Sequence, residues 1–129
     1  MSFQFSKFEG RNGRFEDRIT ISKSNSIGFP TRFYNDNKIA DYKYIVLFWD
    51  EKENAIGILF SNDENERSKF TIIRTEKYGG MASAKSFFTQ YKIDTGKFRG
   101  RYEWEKFNQP NVGELFVIRL KEHVQAPLL

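Results

Sequence analysis

The chain has 129 residues, of which 39% are hydrophobic and 17% aromatic, with a net charge of +4 and no cysteine. That length supplies one core and excludes two ordinary domains, so residues 1–129 read as a single domain. The lack of cysteine excludes disulfides and thiolate metal sites, and no stretch approaches the roughly 18 consecutive apolar residues of a membrane span.

Taken in chain order, "MSFQFSKFEGRNGRF" has no apolar segment of the kind a signal peptide needs, so the expectation is a cytoplasmic protein with no membrane partner. "FQFSKF" alternates loosely and reads as an edge strand, and "GRNG" as a turn. "RITIS" is a cleaner strand with Ile19 and Ile21 on one face, followed by the turn "KSNS" and a short extended "IGF". Pro30 then heads "TRFYNDNKI", a position where a helix tolerates the missing N–H. Residues 42–60, "YKYIVLFWDEKENAIGILF", predict a β-hairpin around the polar turn "DEKEN". Both faces of its first arm are apolar, which places that strand inside a sheet. "SNDENERSK" reads as a surface linker.

The order then returns. "FTIIR" is a strand, "TEKYGG" a turn, and residues 81–93, "MASAKSFFTQYKI", have the spacing of a helix with Met81, Ala84, Phe87, Phe88 and Tyr91 on one side. A second hairpin follows, "GKFRGRYEWEKF" and "ELFVIRL" around "NQPNVG". Side by side, Ile19 and Ile21 answer Phe70 and Ile72, Phe33 and Tyr34 answer Phe87 and Phe88, and Ile39 answers Ile93. Tyr44 and Phe48 answer Phe98 and Tyr102, and Ile56, Ile58 and Phe60 answer Phe116, Ile118 and Leu120. The expected fold is mainly β (α+β): an antiparallel sheet or barrel from a duplicated strand-helix-hairpin unit, residues 18–60 and 70–120, with two short helices.

A strand, a turn with a basic residue, a short strand ending in proline, a short helix and a hairpin with an acidic turn: in this order "ITISKSNSIGFPTRFYNDNKIADYKYIVLFWDEKENAIGILF" resembles the AbrB/MazE family of swapped-hairpin DNA-binding domains. The sequence departs from that family in having Asn25 where a glycine is usual, and Arg32 alone as a basic residue around the proline. Members of that family dimerise by interleaving two units, so the resemblance implies that one chain with two units builds the same barrel from itself. The curved strands, two helices and many rings also resemble the Whirly and positive-cofactor type of single-stranded-DNA-binding regulators. Either resemblance implies a DNA partner, duplex in one case and single-stranded in the other.

Charge is unevenly placed. Residues 67–101 carry 9 Lys/Arg against 2 Asp/Glu, whereas residues 1–66 carry 9 against 11 and residues 102–129 carry 3 against 4. On a strand starting at Lys97, the side chains of Lys97, Arg99 and Arg101 point one way at about 7 Å per step, close to the spacing of neighbouring phosphates. Arg74, Lys77, Lys85 and Lys92 extend the track. The competing reading is a solvated strand face partly neutralised by Glu103 and Glu105. Phe48, Trp49, Phe60, Phe87 and Phe98 are core candidates, and Tyr78, beside Gly79 and Gly80, is the ring best placed to stack on a base.

For catalysis the residues are poor. His123 is the single histidine, and no P-loop, GxSxG or HExxH pattern occurs. The expectation is a non-enzymatic DNA-binding protein, a small transcriptional regulator, with no catalytic residues, metal or cofactor. The alternative from another class is a protein–protein interaction or assembly module, such as a homo-oligomer, that ignores nucleic acid.

Overall fold

The computed structural model describes residues 2–7, 17–75 and 79–122. The "GRNG" turn, Lys77, Tyr78 and His123 therefore lie outside the described residues. Ten strands form two five-stranded antiparallel sheets. In chain order they are β1 (Ile19–Ile21), β2 (Ser26–Phe29), β3 (Tyr44–Asp50), β4 (Ala55–Ser61), β5 (Lys69–Thr71), β6 (Ile73–Thr75), β7 (Gly79–Ser83), β8 (Gly100–Tyr102), β9 (Trp104–Gln109) and β10 (Gly113–Arg119). Helices α1 (Thr31–Asp36), α2 (Lys85–Gln90) and α3 (Thr95–Phe98) and a 3₁₀ turn (Ile39–Asp41) complete the set. The fold is thus mainly β, as expected, but the described strands make two sheets rather than a closed barrel, and the helices number three.

The first sheet runs β6-β7-β2-β1-β8 and the second β5-β3-β4-β10-β9. In each, four strands are arranged symmetrically about a central pair, and β8 in the first and β5 in the second are added at one edge. β7 and β2 meet in one, β4 and β10 in the other, and β6-β7 and β9-β10 repeat β1-β2 and β3-β4. In the second sheet Gly57 faces Val117, and the pairs Ile58–Phe116 and Ile56–Ile118 flank it. This is the cross-pairing required if Ile56 answers Phe116 and Ile58 answers Ile118 about a local dyad.

Backbone conformation repeats with the topology. Asn25 and Gly79 both have positive φ (66° and 82°), as do Lys38 and Lys92 (54° and 55°), each pair separated by the same interval along the chain. Asn54 and Asn111, in the turns of the two long hairpins, are positive as well. Asparagine tolerates the left-handed region, so Asn25 fills the place where a glycine was expected. Pro30 precedes α1 and Ala84 precedes α2 at that same interval, each as N-cap.

Several local expectations fail for identifiable reasons. Residues 79–83 form β7, not the turn and first turn of a helix, because they pair along all of β2, with Ile27 opposite Ala82 and Phe29 opposite Gly80. "FTIIR" breaks at Ile72, so β5 joins the second sheet and β6 the first. Glu103 likewise separates β8 from β9. Such sheet-switching bends make the corners of packed antiparallel sheets. The counterpart of β1 is accordingly β6, and that of β3 is β9, rather than the segments around Phe70 and Phe98. "FQFSKF" forms no strand over residues 2–7.

The core lies between the sheets and under the helices. Phe29, Phe33, Ile39, Ile45, Ile56, Ile58, Phe88 and Ile118 are almost wholly buried. Phe33 of α1 contacts Trp104 and Phe116 of the second half at 5.3 and 5.2 Å between ring centroids, while Tyr91, just past α2, meets Trp49 of the first half at 6.2 Å. Phe33 thus completes the core beside Trp104 and Phe116, whereas Tyr91, 42% exposed, meets Trp49 at the surface. Of the five core candidates, Phe60 and Phe87 are buried and Trp49 and Phe98 are partly buried against the core. Phe48 lies on the opposite face of β3 from Ile45, Leu47 and Trp49, by strand alternation.

Candidate nucleic-acid interface

The turn between β1 and β2 organises one end of the first sheet. Asn25, held in the left-handed region, presents its carbonyl to the backbone N–H of Ala84 at 2.8 Å, which seats the start of α2 against the turn. The Thr95 hydroxyl lies 3.0 Å from Asn25 Oδ1 and 3.2 Å from the Lys23 carbonyl, which fixes the start of α3 beside the same turn. Thr95 is buried there. Asp94 caps α3, its Oδ1 accepting from the N–H groups of Gly96 and Lys97. β8 then pairs with β1, setting Gly100 opposite Ile21 and Arg101 opposite Thr20.

Of the predicted cations, Lys85 opens α2 and Lys92 follows it, while Lys97, Arg99 and Arg101 lie in α3, at its C-cap and on β8, not in the row that was expected. Lys97 belongs to α3 and Arg99 is its C-cap, so only Arg101 of the three sits on a strand. The alternation of residues 97–105 was genuine, but the Asp94 cap starts a helix within it. Lys97 makes a 2.6 Å ion pair with Glu122, which raises its pKa above the ordinary lysine value by hydrogen bonding and charge. Among the described residues no carboxylate pairs with Lys85, Lys92 or Arg99 within 4.0 Å, and all three are exposed.

Two predicted residues fall elsewhere. Arg74 is on β6, at the opposite edge of the sheet from β8. Its guanidinium donates to the carbonyls of Ala40 and Tyr42 at 2.7 and 2.8 Å, so it ties β6 to the segment after α1. Lys77 lies outside the described residues. Conversely, Lys23 was missed as a site residue, although it sits in the β1–β2 turn itself. The signal was available: Lys23 stands to Asn25 as Lys77 stands to Gly79.

Among the described residues no group of three or more His, Cys, Asp or Glu is placed to hold a metal ion. None of the described helices is long and apolar enough to cross a membrane. Compared with protein-family models, curated proteins and solved structures, the chain matches none of them.

Proposed function

We propose that the chain is a non-enzymatic DNA-binding protein of the transcriptional-regulator kind, which engages phosphates through the basic end of its first sheet. Lys23, Lys85, Lys92, Arg99 and Arg101 form the contact surface, and Lys97 joins when Glu122 is displaced. The observation that carries this reading is the double anchoring of α2 and α3 to the β1–β2 turn through Asn25 and Thr95. It joins segments that carry these cations to one turn, and a local excess of positive charge steers and holds a polyanion. The resemblance to swapped-hairpin DNA-binding domains points the same way, because the basic turn after the first strand is part of the matching pattern.

Fluorescence anisotropy with short duplex and single-stranded oligonucleotides at two salt concentrations tests the reading. Binding that weakens steeply with salt is expected, with duplex preferred. A preference for single strands moves the function to the Whirly-like type. No binding to either at low salt removes nucleic acid from the account.

A further inference from the structure

The second sheet turns its other face to solvent, and apolar residues run across the middle of that face between polar and charged ones. Phe48, Gly57, Val117 and Glu105 stand directly opposite one another across β3, β4, β10 and β9. Gly57 has no side chain, and Leu115 Cδ1 lies 2.8 Å from where a Cβ would stand, so the floor is low and Leu115 covers it. The resulting groove has a volume of 710 Å³ and is also bordered by Phe107. Phe107, on the edge strand β9, is 52% exposed.

The rim is acidic. Asp50, Glu51, Glu53 and Glu105 line it against Lys106 and Arg119, a net of −2. Arg119 is engaged by Glu53 at 3.0 Å and by Glu105 at 3.1 Å, and Lys106 by Glu114 at 3.5 Å.

Residues 2–7 of the same chain carry the complementary chemistry. Phe3 and Phe5 are 70% and 88% exposed, and their rings stack at 5.4 Å on one side of the segment. Lys7 follows two residues after Phe5, and the rest of the segment, Ser2, Gln4 and Ser6, is polar and uncharged. Two rings followed by a cation match an apolar floor bounded by carboxylates. Because both rings stand in solvent, the groove is not filled by the arm of its own chain.

We infer that residues 2–7 of one copy dock across the outer face of the second sheet of another copy, laying Phe3 and Phe5 into the groove. Burial of the two rings supplies the driving force, and Lys7 against the acidic rim supplies orientation. Reciprocal exchange of two arms closes as a twofold dimer.

Sedimentation of the full chain over a range of concentrations tests this. The wild type is expected to dimerise, with the dissociation constant raised about tenfold for each ring removed in Phe3→Ala and Phe5→Ala. Phe107→Glu, at an exposed position, is expected to weaken the dimer from the groove side. A synthetic peptide of residues 2–7 should dissociate the dimer. A wild-type chain that stays monomeric, or a dimer indifferent to the arm and Phe107 substitutions, overturns the inference.

Discussion

Tyr102 shows how a single side chain joins the site to the core. It is buried, and its hydroxyl is within hydrogen-bond distance of the Phe98 and Lys121 carbonyls, tying the end of α3 to the segment after β10. Burial holds its pKa above the ordinary tyrosine value, against the opposing effect of its bond to the Lys121 backbone. The neutral hydroxyl is thus favoured in the folded state, so its contribution is present at neutral pH and falls as pH rises above about 10. Tyr102→Phe should cost about 1–2 kcal/mol in denaturant unfolding and flatten that alkaline decline. Glu122 presents the opposite case. Its ion pair with Lys97 is solvent-exposed and contributes little to stability, but it occupies a cation of the proposed interface. Glu122→Gln should leave unfolding unchanged and tighten DNA binding several-fold at low salt, an effect anisotropy reads directly.

Among the elements, the repeated turns make the sharpest claim. Lys38 and Lys92 close α1 and α2 in the same left-handed conformation, where a non-glycine residue pays about 1–2 kcal/mol and glycine nearly none. After the entropy glycine adds to the unfolded chain, Lys38→Gly and Lys92→Gly should each stabilise by up to about 1 kcal/mol, and by similar amounts, in chemical denaturation. Unequal effects of opposite sign would show that the two turns are not equivalent. The hairpin of β3 and β4 was legible because alternating apolar residues flank a polar turn, and the correspondence of Ile56 and Ile58 with Phe116 and Ile118 was legible for the same reason. β7 was not legible. "GGMAS" has no β-branched or aromatic residue, and its strand character comes from pairing with β2 on one side and β6 on the other. α3 was hidden by an alternation that continued through it, although Asp94 ahead of Thr95 and Gly96 was a usable cap signal. The charge excess was legible, but the arrangement around the β1–β2 turn was not, because it depends on the long-range bonds of the Thr95 hydroxyl to the Lys23 carbonyl and Asn25 Oδ1.

For the whole molecule, the repeat produces two interlocked halves rather than two neighbouring lobes. α1 delivers Phe33 to Trp104 and Phe116, and the segment after α2 delivers Tyr91 to Trp49. The two sheets then carry different surfaces: a cationic corner on the first and an acid-rimmed apolar face on the second. The two proposed contacts, with a polyanion and with a second copy, thus fall on different sheets and would not compete. The central claim is that the corner around the β1–β2 turn binds phosphates. Its most direct test is the dependence of DNA affinity on salt for the wild type and for a Lys23→Gln, Lys92→Gln, Arg99→Gln variant. The account predicts that the variant binds more weakly and that the slope of log affinity against log salt becomes shallower by about 3 for a duplex. A wild-type slope and affinity retained in the variant would contradict it.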